Sequence, residues 1–231
     1  MSPPRPRTLI ATVAVIIALA GFFLVDAVTT ARGEFRLSRQ LQGAVSFSGL
    51  TMWQTLAGGT VGNVQVLGTD VTVPTLGMVN THITAYALPL TNEQVRTGNV
   101  AGTPVKTLKQ QVQLDGVALG ALLGISDLNI ANPVNISPSG APLPTAEFTG
   151  TPPGATEPET ALVDLRIVAG DIRLESTNPA FELTIPAADM PLAAPATRIF
   201  CSGGSVFIES ERHNVTLTAA DLSPTLTPLR G

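Results

Sequence analysis

Two histidines and a single cysteine bound the chemistry that this chain of 231 residues can carry. His82 sits in a strand-like alternation, and His213 follows Glu211 and Arg212 near an expected turn. Neither belongs to a ligand pair at helical spacing, so no metal site is expected, and one cysteine permits no intramolecular disulfide. Cys201, flanked by Ile199 and Phe200, reads as a buried small hydrophobe rather than a reactive thiol. The Gly-x-Ser-x-Gly nucleophile elbow is missing. Gly58-Gly59-Thr60-Val61-Gly62 lacks the lysine and the following helix of a phosphate loop, and reads as a turn. Asp70, Asp115, Asp164 and Asp171 are scattered near strand ends, where acids more often form turns than ligate calcium. Asn135-Ile136-Ser137 and Asn214-Val215-Thr216 match a glycosylation pattern too short to be specific. With no catalytic constellation and no cofactor implied, the residues favour a binder over a catalyst.

The composition points the same way. Charged residues make up 13% of the chain, against about 25% in an average soluble domain. Aromatics are 4%, so the apolar surface is aliphatic, as in a β-rich domain. A net charge of −4 lacks the basic footprint that nucleic acid requires.

The N-terminus carries the strongest targeting signal. After a short cytoplasmic segment, 1–7, with Arg5 and Arg7, residues 8–25 hold no charged side chain, and Asp26 closes the run. That length suits a helix across most of a ~30 Å hydrocarbon core and exceeds the apolar core of most signal peptides. Residues 8–26 are therefore expected to be a single-pass anchor in the cell membrane, with the bulk of the chain outside the cytoplasm. Cleavage near Ala31, giving a secreted protein, is the alternative.

Residues 27–43 read as a membrane-proximal stalk, 44–222 as one exported domain, and 223–231 as a tail. Val64 and Val66 alternate, residues 68–70 suit a turn, and Val71 and Val73 alternate again. Residues 78–88 form a candidate strand stopped by Pro89. Residues 105–114 form another, with Leu108, Val112 and Leu114 inward and Thr107, Lys109, Gln111 and Gln113 outward. Asp115 is placed to cap a helix over 117–123 that Gly124 closes. Residues 137–160 carry no period and read as a proline-rich loop. A hairpin turns at Ala169-Gly170, and Ser202-Gly203-Gly204 turns into a strand over 206–210. Val215 and Leu217 belong to a last strand. About eight strands and two short helices are expected, an α+β chain that is mostly β.

These residues together resemble the LmeA-like phospholipid-binding proteins of actinobacterial cell envelopes. The resemblance rests on the arginine-rich lead into Leu41-Gln42, the double strand over 64–73, the leucine-rich 117–124 segment after a strand, and the closing block from Met190-Pro191-Leu192 to Leu217. It covers most of the exported part and is diffuse, with no catalytic signature. The chain departs from the pattern at 49–56, where family members often carry a Pro-Phe-rich run, and inserts 137–160. The resemblance implies a long curved antiparallel sheet wrapped around short helices, similar to tubular lipid-binding domains. It implies binding of phospholipid, with phosphatidylinositol-type lipids among the candidates, in support of envelope glycolipid or lipoglycan assembly.

The expected partners are thus a phospholipid or glycolipid and the membrane. Candidate residues for an apolar wall are Phe47, Met52, Trp53, Leu56, Leu119, Leu122, Leu123, Ile125 and Phe181. For any one of them ordinary core is the simpler role. A structural or scaffold domain with a filled core and no lipid ligand is the competing reading, and an envelope hydrolase or transferase ranks below both.

Overall fold

The computed structural model describes residues 31–32, 34–35, 38–39, 44–48, 61–89, 91–97, 99–133, 144–218 and 220–223. The expected anchor at 8–26 and the candidates Met52, Trp53 and Leu56 lie outside them. Among the described residues no helix is long and apolar enough to cross a membrane. Those described between 31 and 39 are helical.

Downstream the chain forms β1 (Ala44–Ser48), β2 (Val61–Val73), β3 (Gly77–Leu88), α1 (Asn92–Thr97), β4 (Pro104–Asp115) and α2 (Gly116–Leu123). There follow β5 (Asn129–Ala131), β6 (Thr145–Gly150), β7 (Glu159–Val168), β8 (Asp171–Ser176), β9 (Leu183–Ile185), β10 (Arg198–Ser202) and β11 (Ser205–Thr216). The fold is mostly β, as expected, but the strands make two open sheets instead of one long sheet wrapped around helices. One has the order β1-β2-β3-β4-β11-β10 and the other β5-β6-β7-β8-β9. The division follows from the path of the chain. It leaves the first sheet through α2, builds the second from sequential neighbours, and returns to lay β11 beside β4. Strand β10 then packs against β6 and β7, so the two sheets share one hydrophobic core.

Several elements form where the pattern places them. In β4 the inward side chains Leu108, Val112 and Leu114 are buried, and Thr107, Lys109, Gln111 and Gln113 are half-buried on the other face. The Asp115 carboxylate accepts from the N–H groups of Val117 and Ala118, at 3.0 and 2.9 Å, and so caps α2. Gly124, at φ 74°, ends that helix in the left-handed region that a side chain resists. Asp115→Ala should therefore cost about 1 kcal/mol, read as a lower urea midpoint with an unchanged slope; an unchanged midpoint would show that the cap adds nothing. The Ala169-Gly170 and Gly203-Gly204 hairpins both turn through two residues of positive φ, which matches the twist of their strands.

Three expectations change. The turn at 68–70 is a bulge inside one continuous strand, where the register of β2 on β3 shifts between Gly68 and Val71. Asn80 Oδ1 accepts from the Asp70 N–H there and steadies the positive φ of Asp70. The segment 137–160 is not all loop, because Thr145–Gly150 pairs on both sides, with Ala146, Phe148 and Gly150 buried. The prolines and glycines around that six-residue alternation conceal it. Finally, β11 runs unbroken from Ser205 to Thr216, so His213 lies in a strand and not at a turn. Its polar stretch is tolerated because β4 pairs with it from Ser205 to His213 and again at Val215 and Thr216, with Asn214 unpaired at positive φ.

Candidate functional site

Strand alternation divides the six-stranded sheet into two chemically different faces. Residues directly opposite each other in an antiparallel pair share a face. On the inner face this gives the rows Val45–Val66–Ile83–Gln110–Ser210 and Val64–Ala85–Leu108–Arg212. A third row runs Thr81–Val112–Ile208–Ile199. The inner face is thus mostly aliphatic, apart from Thr81 on β3 and a polar group of Gln110, Ser210 and Arg212 where two of the rows cross from β4 to β11.

The polar end is a network of buried groups. Gln110 is 1% exposed, and its Nε2 donates to the Asp221 carbonyl at 3.0 Å while its Oε1 accepts from the Ala193 N–H at 3.1 Å. Asp221, 3% exposed, is ion-paired with Arg212 through Oδ1. Its Oδ2 accepts from the N–H and hydroxyl of Thr218, at 2.7 and 2.8 Å. Burial pushes the Asp221 carboxyl pKa up, but the Thr218 donors and the Arg212 guanidinium outweigh it, and the net shift is downward.

That shift predicts an acid sensitivity. With its folded pKa below the unfolded one, Asp221 stabilises the fold fully above about pH 3.9, and the contribution is lost as pH falls through the lower, folded value. Urea melts at descending pH should show a steep acid loss in the wild type and a shallower one in Asp221→Asn. Equal losses would assign the acid limb to other carboxylates, such as Asp127, whose pKa is lowered by the backbone N–H and hydroxyl of Thr151.

The outer face is polar and mostly half-buried, with Thr84 and Glu209 buried on it. Lys109 lies 3.2 Å from Glu211 and 3.6 Å from Glu209, and His213 Nδ1 is 3.2 Å from the Thr107 hydroxyl. His82 is on β3, two strands away from His213 on β11, and burial lowers its pKa. The histidines are not brought together, and no metal-ligating cluster exists among the described residues. Each acid singled out has a local partner or turn. Asp164 pairs with Arg166, and Asp171 accepts from the Ala187 N–H at 2.9 Å. The Cys201 thiol is buried, its pKa pushed up by burial, and it points at the Ala131 carbonyl at 3.7 Å, which suits a packing role.

The candidate wall residues separate. Leu119 and Ile125 are fully buried at and just beyond α2, with Leu122 and Leu123 at the margin of the same core. Phe181 is fully buried in the second sheet's half of the core, edge-on to Phe148 at 6.3 Å between ring centres. Phe47 stands on β1 opposite Val64. Two grooves open on the exposed side of the second sheet. The larger, about 540 Å³, runs across β7 and β8 past Leu162, Asp164, Glu175 and Asn178. The smaller, about 300 Å³, passes Arg173, Glu182 and Thr184. Both are open and lined with polar groups, unlike the enclosed apolar sites that acyl chains fill.

Gln110, Ser210, Arg212, Thr218 and Asp221 escaped the sequence reading. A signal existed for three of them: Gln110 has the same parity as Leu108 and Val112, and Ser210 and Arg212 the same parity as Val206 and Ile208, all of which face the core.

Comparison with known proteins gives a family match. The family model described as LmeA-like phospholipid-binding matches residues 26–219, most of the chain. No curated protein and no solved structure matches.

Proposed function

The chain belongs to the LmeA-like phospholipid-binding family, and on that premise we propose that it is a membrane-anchored, exported protein that binds phospholipid against the aliphatic side of its β domain. The observation that carries the reading is the inner face of the six-stranded sheet, aliphatic from Val45 through Val66 and Ile83. Acyl burial against such side chains stabilises a complex by about 0.8 kcal/mol per CH₂, so affinity needs few polar contacts. The protein acts by binding rather than by catalysis. It presents or transfers lipid for envelope glycolipid or lipoglycan assembly. The apolar run at 8–26 holds the domain at the bilayer, where the effective concentration of lipid is high. Cleavage near Ala31 would make it a diffusing carrier. Leu119, Leu122, Leu123, Ile125 and Phe181 line the lipid in this reading, together with Phe47, Met52, Trp53 and Leu56.

The complete burial of Leu119 and Phe181, and of Val66 and Ile83 on the inner face itself, favours a second reading, a scaffold domain whose core is already filled. Lipid extraction of the purified full chain followed by mass spectrometry separates the two. Co-purifying phospholipid, or uptake of labelled phospholipid from vesicles, is the expected result. Absence of both would leave the scaffold.

A further inference from the structure

The polar end of the inner face holds donors that its own network does not use. Ser210 is 1% exposed, yet its Oγ has no hydrogen-bond partner. The Arg212 Nε is buried and likewise without an acceptor. Buried polar atoms left in this state are rare in native folds. Among the described residues, the anion in contact with Arg212 is the Asp221 carboxylate, which arrives from the turn after β11. Both of its oxygens are occupied, one by the Arg212 Nη2 and one by Thr218, and neither reaches Nε or Ser210. The Arg212 side chain remains 26% exposed, so the cluster has a path to solvent.

We propose that Arg212, Ser210 and Gln110 form a subsite for a phosphodiester anion, and that Asp221 occupies it as a stand-in anion until ligand displaces the turn. Carboxylate and phosphate draw on the same donors, and a guanidinium binds both through its fork of N–H groups. A phosphodiester has two charged oxygens, as a carboxylate does, but neither would be tied to Thr218 as one Asp221 oxygen is, so the pair can serve Nη2, Nε and the Ser210 hydroxyl together. Withdrawal of the turn also frees the Gln110 Nε2 from the Asp221 carbonyl. In the same rows Ile83 stands opposite Gln110 and Leu108 opposite Arg212, both buried, so a phosphate seated there would adjoin aliphatic side chains of the inner face. That is the arrangement an amphiphile needs. The inference rests on the lipid-binding reading for the acyl part and adds the headgroup chemistry.

The test uses the full chain in detergent, with labelled phosphatidylglycerol and labelled diacylglycerol as probes and inorganic phosphate as competitor. Arg212→Gln should weaken phosphatidylglycerol binding about tenfold, the loss of one charge-assisted contact, and leave diacylglycerol binding unchanged. Arg212→Lys should recover part of the loss. Ser210→Ala, which touches no existing hydrogen bond, should weaken phosphatidylglycerol several-fold at an unchanged melting temperature. Asp221→Ala should strengthen it. Equal binding of phosphatidylglycerol by the wild type, Arg212→Gln and Ser210→Ala would overturn the subsite. Binding of diacylglycerol and phosphatidylglycerol alike by the wild type would overturn it while sparing the lipid reading, whereas binding of neither would remove that reading itself. Competition by inorganic phosphate without any effect of the variants on lipid would assign the anion to free phosphate and overturn the headgroup.

Discussion

Phe148→Ala is expected to destabilise the domain by about 3–5 kcal/mol, the range for truncating a fully buried aromatic. Phe148 is 0% exposed in the middle of β6, directly opposite Ile130 on one side and Ala161 on the other. Its ring meets Phe181 edge-on, with an interplanar angle of 76°. Such a pair adds about 0.5–1.5 kcal/mol beyond the area it buries. Truncation leaves a void in the packed layer between the two sheets, where β10 lies against β6 and β7 and the strands are fixed by their ladders, so little backbone can move in to fill it. Urea unfolding should show the lower midpoint, and a double-mutant cycle with Phe181→Ala should return the pair's coupling. A loss below about 1 kcal/mol would mean that the site collapses freely or is already open to ligand. The experiment therefore bears on function: a Phe181 that lines lipid should lose less on truncation when phospholipid is added, and a Phe181 in a filled core should not.

Gly120→Val should be nearly as damaging, at about 3 kcal/mol. Gly120 lies inside α2, where intrinsic propensity favours any alanine-like replacement. Tertiary packing reverses the sign. A Cβ there would press into the Ile125 carbonyl oxygen and come within 3.2 Å of the Leu128 Cβ. The backbone oxygen cannot yield, because the same stretch closes the helix. The N–H groups of Gly124 and Ile125 both donate to the Gly120 carbonyl, the latter at 2.8 Å. Gly150 on β6 receives the Ile125 side chain just as closely, 2.6 Å from where a Cβ would stand. Ala121→Val, on the exposed side of the same helix, supplies the control and should cost less than 1 kcal/mol. Similar losses in the two variants would show that helix propensity, and not the close approach to Ile125, decides stability here.

Legibility varied with the range of the interaction. The Asp115 cap and the Gly124 stop could be read because the groups they satisfy lie within a few residues. The β4 alternation was readable for the same reason, since one strand's own period reveals its faces. Gln110 broke that period without disturbing it. It is polar on the apolar face, and its partners, Ala193 and Asp221, come from elements far along the chain. The bulge at Gly68 looked like a turn because glycine and aspartate suit both, and only pairing with β3 distinguishes them. For β6, six residues were too few for a period to stand out beside the prolines.

By itself, then, the sequence determined a mostly β chain with an apolar N-terminal run and a resemblance to one phospholipid-binding family. Those features follow from residue type, local spacing and composition, which do not depend on which strand lies beside which. The tertiary structure alone decided that the strands divide into two sheets, that Leu119 and Phe181 occupy different parts of one core, and that Arg212, Ser210 and Gln110 converge beneath Asp221. Antiparallel pairing of β4 with β11 joins positions about a hundred residues apart, and no local period carries that information. The chemistry of the polar end exists only once that register is formed.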